Sequence, residues 1–188
     1  MRLMTAFRNN SLTAGIYAKA RERFFEAVSV VSPVWNTKLR YRAGFGRKLD
    51  LKNPRTLNEK ISWLKLNRYM KDPLVIRCAD KYLVREYVEQ CGCGDILNEL
   101  YGVYRSADEI CWEDLPQQFV LKWNFGAGMN YVCMDKDAAD RDAIIAQFRA
   151  WGKVKYWLSH SEFQYRYIPR RIVCERLLGA ETIEEVTT

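Results

Sequence analysis

Apolar residues recur at helical spacing in four stretches of the chain and gather into short β-rich blocks in four others. The first helical stretch covers residues 16–31. The second covers 57–69, where Leu57, Ile61 and Leu64 share a face behind Thr56-Leu57-Asn58-Glu59. That tetrad fits a capping box, with Thr56 and Glu59 satisfying each other's backbone amides. The third begins at Asp72-Pro73, a capping acid before a first-turn proline. Its stripe is Val75, Ile76, Ala79, Leu83, Tyr87 and Val88, and Gly92 and Gly94 end it, so Asp80 and Lys81 are expected in the middle of one helix. The fourth covers 138–151, with Asp137 as cap, Ile144, Ile145, Phe148 and Trp151 inward, and Gly152 as the stop.

The β-rich blocks are 97–103, 118–123, 130–134 and 171–178. A helical turn or loop is expected over 107–114. Between the second and third blocks lies Asn124-Phe125-Gly126-Ala127-Gly128-Met129, so these two strands form a hairpin with glycines at its tip. Residues 41–48 are basic and Gly-containing and are read as a loop. Residues 153–168 carry Tyr156, Trp157, Phe163, Tyr165 and Tyr167 without clean periodicity, as a bundle of core aromatics would.

Charge divides the chain unevenly. The net charge over 188 residues is +7, but residues 1–52 hold 11 Lys/Arg against 3 Asp/Glu, while the remainder is close to neutral. A nucleic-acid-binding body is therefore disfavoured, because phosphate tracking needs a basic face on the folded domain. Within the basic segment Lys19, Arg21 and Arg23 sit beside Phe24 and Phe25. That composition suits either peripheral contact with anionic lipid or a solvated helix packed by its aromatic side. No run reaches the ~20 apolar residues a membrane span needs. The six cysteines contain no Cys-x-x-Cys pair, and Cys78, Cys133 and Cys174 lie in apolar runs, where a free thiol acts as a small hydrophobe. With no signal-peptide pattern visible, a cytoplasmic location is expected, with the inner face of the membrane as its extension.

The strongest chemical constellation is strand, lysine, Gly-rich turn, strand. Val120, Lys122 and Asn124 share one face by strand alternation. Gly126 and Gly128 permit positive φ and a close approach to the backbone. A lysine beside such curled amides is a candidate phosphate site, and an ordinary hairpin loop with a surface lysine is the plain alternative. It is not a Walker loop, since no Gly-Lys-Ser/Thr opens a helix. Nor is it a protein-kinase loop, since no His-Arg-Asp or Asp-Phe-Gly follows.

The order of these landmarks resembles the TupA-like branch of the ATP-grasp superfamily, found in capsule, teichuronopeptide and other surface-polysaccharide gene sets. The resemblance covers most of residues 45–178. It is carried by Asn53-Pro54-Arg55-Thr56-Leu57-Asn58-Glu59, by Ala79-Asp80-Lys81-Tyr82 with Val84-Arg85-Glu86-Tyr87, by Leu100-Tyr101-Gly102, by Phe119-Val120-Leu121-Lys122, by Asn124, Gly126 and Gly128, and by Pro169-Arg170-Arg171-Ile172-Val173 with Glu175.

The resemblance implies an α+β fold: an ATP-grasp-like nucleotide-binding lobe with a Gly-rich β-hairpin, preceded by a helical N-terminal region. It divides the chain into a basic arm (1–52), a helical subdomain (53–115) and the nucleotide-binding lobe (116–188). It implies ATP held by Lys81, Lys122, Asn124, Gly126, Gly128 and Glu175. The backbone of Arg176, Leu177 and Leu178 would meet adenine, and Glu181 or Glu184 would meet ribose. The implied reaction is ATP-dependent ligation of a sugar or amino-acid carboxylate to an amine through an acyl phosphate. Magnesium is expected to be held by a second lobe beyond residue 188, so the chain is expected to be a fragment with that lobe absent. Phe125 stands where the family's loop usually has histidine.

Two other readings stand beside the ligase. Such proteins are often labelled glycosyltransferases, and Asp135-Lys136-Asp137 after a strand is an Asp-x-Asp candidate, although Asp137 also suits a helix cap. A non-catalytic scaffold at the membrane periphery is the third.

Overall fold

The computed structural model describes residues 11–179. The described residues divide into two compact units, one formed by residues 11–71 with Lys155–Phe163 and one by Asp72–Val154 with residues 164–179. Among the described residues, no helix is long and apolar enough to cross a membrane.

The first unit contains α1 (Ser11–Val31), α2 (Pro33–Phe45), α3 (Leu57–Asn67) and the short α7 (Tyr156–His160). The second helix corrects the sequence expectation, which had a loop over 41–48. α2 starts at Pro33 behind Ser32, whose side chain accepts from the Trp35 amide, and it stops at Gly46 in the left-handed conformation (φ 68°). Its inward residues are Asn36, Thr37 and Tyr41, a set with too few apolar members to betray a helix by periodicity. The capping box of α3 is present as expected. The Thr56 side chain accepts from the Glu59 amide, and Glu59 Oε2 accepts from the amides of Thr56 (2.9 Å) and Arg55 (3.0 Å). Those amides hold the Glu59 carboxyl below its usual range.

The end of α7 organises this unit. A helix leaves its last carbonyls unpaired, and three side chains take them up. Asn36 Nδ2 and Arg40 Nε donate to the Ser159 carbonyl at 2.9 and 2.7 Å, and Lys65 Nζ donates to that of His160 at 3.1 Å. Ser161 turns the chain with φ 53° and its hydroxyl pairs with that of Ser29 at 2.9 Å.

The second unit is built on one antiparallel sheet in the order β1-β4-β2-β3, with β1 Leu100–Tyr104, β2 Phe119–Trp123, β3 Asn130–Cys133 and β4 Ile172–Arg176. The β2–β3 hairpin is present as expected, and it sets Phe119 opposite Cys133 and Lys122 opposite Asn130. Long-range pairing then sets β4 between β2 and β1, with Val120 opposite Glu175 and Lys122 opposite Val173. α6 (Arg141–Trp151) buries Ile144 and Phe148, and Trp123 Nε1 donates to the Phe148 carbonyl at 3.1 Å. The cap of α6 is Asp140, which accepts from the Ala143 amide, and not Asp137 as expected. Cys133 and Cys174 are buried, and burial pushes the Cys174 thiol up to about 12; Cys78, expected to be a buried hydrophobe, is exposed. The molecule is thus an α+β protein.

Candidate nucleotide site

The third helical stretch breaks in two, α4 (Pro73–Ala79) and α5 (Leu83–Gln90), and the break falls at Asp80 and Lys81. This overturns the expectation of one continuous helix. Asp80 leaves helical geometry (φ −82°, ψ 112°), and its Oδ1 accepts from the amides of Tyr82 (2.8 Å) and Leu83 (3.3 Å), which restarts the helix. The same oxygen accepts from Asn124 Nδ2 at 2.9 Å. The apolar stripe could not reveal the break, because Val75 to Val88 keep helical spacing across it.

Asn124 is fully buried and joins three segments. Its Nδ2 also donates to the Pro169 carbonyl (2.8 Å), and its Oδ1 accepts from the Arg171 amide (2.8 Å). Its own amide donates to the Arg171 carbonyl (2.9 Å), and its carbonyl accepts from the Lys81 amide (3.0 Å). The side chain named as a nucleotide contact is therefore occupied by the protein itself. It fixes the helix break against the hairpin and the entry to β4.

Lys81 is delivered by this break to the glycine loop, where its Nζ donates to the Gly126 carbonyl at 2.7 Å. Glu86, on α5, pairs with Arg77 at 3.2 Å and not with Lys81. Gly126 and Gly128 both adopt left-handed backbone (φ 70° and 74°). A Cβ on Gly128 would meet nothing within 4 Å, so its φ requires glycine there, not crowding.

Lys122 Nζ donates to Glu175 Oε2 at 2.8 Å, and Arg85 approaches the other carboxylate oxygen at 3.5 Å. Arg85 is anchored by a bond to the Asn98 carbonyl at 2.6 Å. Three cations (Lys81, Lys122, Arg85) thus accompany two carboxylates (Glu175, Asp80). Burial, and then the neighbouring charge of Lys122, push the Lys81 ammonium below its usual value, with Asp80 and Glu175 opposing. A cation disfavoured in this way gains most when a polyanion arrives.

Of the six sequence candidates, Lys81, Asn124 and Gly126 are joined directly, Lys122 and Glu175 form a second pair, and Gly128 stands at the exposed hairpin tip. Sequence reasoning missed Arg85 as a site residue. Its signal was positional: it lies one turn after Lys81. Phe125, at the expected histidine position, is buried, with its ring against Trp123 (5.5 Å) and under the Arg170 guanidinium (4.8 Å). The Arg176 amide donates to the Glu99 carbonyl (3.0 Å), and its carbonyl accepts from Asn98 Nδ2 (2.8 Å). Both backbone groups of Arg176 are therefore engaged internally. Glu181 and Glu184 lie outside the described residues. Asp135 accepts from the Asp137 amide and Asp137 from Gln117, so this acidic pair holds its own turn.

Two lysines and a left-handed glycine loop suit a polyphosphate, while the Glu175 carboxylate is held by Lys122 and Arg85. Among the described residues no three His, Cys, Asp or Glu side chains gather to hold a metal ion. These features make it a candidate nucleotide site on an α+β fold. The family model for TupA-like ATP-grasp proteins matches residues 59–186, and the chain belongs to that family. No curated protein and no solved structure matches it.

Proposed function

We propose that the chain binds ATP at Lys81 and Lys122 as part of an ATP-dependent carboxylate–amine ligase of surface-polysaccharide biosynthesis. One observation carries this reading: the break at Asp80 brings the Lys81 ammonium onto the Gly126 carbonyl, at the loop that the Lys122 strand enters. The nucleotide, when bound, supplies the phosphoryl group that activates a sugar or amino-acid carboxylate for attack by an amine.

The residues of this chain bind and orient. Lys81 and Lys122 offset phosphate charge in a partly desolvated place. Lys122 turns from Glu175 to phosphate, and Arg85 keeps Glu175 neutralised when it does. Asn124 and Asp80 act as positioning residues, holding the Lys81 backbone against the hairpin. Phe125 contributes packing and no proton. The cytoplasm, where ATP is available, is the expected place of the reaction. A sugar-transfer reading would need Asp135 and Asp137 at a metal, and their engagement within the turn gives it no support.

Thermal unfolding of the chain with and without ATP–Mg tests the proposal. Binding to the folded state raises the melting temperature, and Lys122→Ala reduces the rise. No rise in the unsubstituted chain overturns it.

A further inference from the structure

The outer faces of α1 and α2 carry a pattern that the nucleotide site does not use. α1 turns Phe25 and Ser29 inward. Away from them, Tyr17, Phe24 and Val31 recur every seven residues, on one stripe, and are 68%, 56% and 77% exposed. Lys19, Arg21 and Arg23 are exposed on the same helix. α2 buries Asn36, Thr37 and Tyr41 and exposes Trp35 (63%) and Leu39 (43%), four positions apart, beside exposed Lys38 and Arg42.

Single exposed apolar side chains are ordinary; a stripe of them bordered by cations is not. The acids are the deciding detail. α2 has none. The two of α1 are both paired, Glu22 with Arg40 (2.8 Å) and Glu26 with Arg23 (3.2 Å). Each outer face therefore offers aromatic and aliphatic groups with cations, and no unpaired acid to repel an anionic surface. A second copy of the chain fits poorly, since self-complementary pairing would set these cations against their own kind.

We propose that α1 and α2 seat on an anionic lipid surface. Phe24, Tyr17 and Trp35 enter the boundary between headgroups and acyl chains, and Lys38, Arg42, Lys19 and Arg21 reach the phosphates. This is a second site, independent of the nucleotide reading, and it would hold the ligase lobe beside a membrane.

The test is co-sedimentation of the full chain with phosphatidylcholine vesicles, with and without phosphatidylglycerol. The chain sediments with the anionic vesicles and not with the neutral ones, and raised salt releases it. Lys38→Ala with Arg42→Ala weakens binding roughly thirtyfold, about fivefold for each surface cation. Phe24→Ser with Trp35→Ser abolishes it, while the melting temperature and any ATP response stay those of the parent chain. Equal binding to both vesicle types, binding to neither, or a solution dimer broken by the same substitutions overturns the proposal.

Discussion

Lys122 and Glu175 meet diagonally across the β2–β4 pair: Val120 lies opposite Glu175 and Lys122 opposite Val173, yet Lys122 Nζ reaches Glu175 Oε2 at 2.8 Å. Both side chains leave the same face of the sheet, and Arg85 closes on the carboxylate from α5. The carboxylate thus holds two cations together, and the first prediction concerns its removal. Glu175→Ala leaves Lys122 and Arg85 close together and partly desolvated, and costs about 2 kcal/mol of folding stability. Lys122→Ala costs less, about 1 kcal/mol, because Arg85 still neutralises Glu175. Urea unfolding of the two variants checks the order.

Asn124 makes side-chain bonds to Asp80, Pro169 and Arg171 from a fully buried position. Asn124→Ala strands these partners and lowers stability by about 3 kcal/mol, measured by urea unfolding. Asn124→Asp keeps the shape but sets a second carboxylate against Asp80. Its defect is therefore relieved as pH falls, whereas that of Asn124→Ala is not.

Lys81 gives a prediction in pH. Its folded-state pKa is lowered from 10.5 by burial and by Lys122. The unfolded chain therefore binds the extra proton more readily, and this group's contribution to stability improves as pH rises through the interval below 10.5. ATP favours the charged lysine, so its affinity changes the other way: it declines with rising pH before ordinary lysines titrate. Binding isotherms across the alkaline range, with Lys81→Met as the variant that loses this component, check the sign.

The capping box supplies an acid-side counterpart. The amides of Thr56 and Arg55 lower the Glu59 pKa below 4.5. Its contribution is present above that value and lost as pH falls through the folded-state pKa. Thr56→Ala removes the reciprocal cap and costs about 1 kcal/mol at neutral pH. Glu59→Gln flattens the acid limb of a stability–pH profile measured by urea unfolding.

What could be read in the sequence was local. Thr56 and Glu59 lie three residues apart, and their box is present in the structure. Phe119 to Trp123 and Asn130 to Cys133 flank six turn residues, and their hairpin is present in the structure. The order of landmarks around Lys81, Lys122 and Glu175 was enough to point to the family. What was hidden depended on distant partners. The helix breaks at Asp80 because Asn124, 44 positions away, bonds its carboxylate. Arg85 reaches Glu175 only once β4 has inserted between β1 and β2. α2 escaped because its buried face is Asn36, Thr37 and Tyr41, and its large hydrophobes point outward.

The central claim is that Lys81 and Lys122 act together on one polyphosphate. Calorimetric titration of ATP–Mg into the chain and into Lys81→Ala, Lys122→Ala and the double variant tests it most directly. Each single substitution is expected to weaken binding about tenfold or more, the loss of one charge-assisted contact. The double variant should lose measurable binding, with a coupling between the two sites. Affinity unchanged in both single variants, or no ATP binding by the unsubstituted chain, would contradict the account.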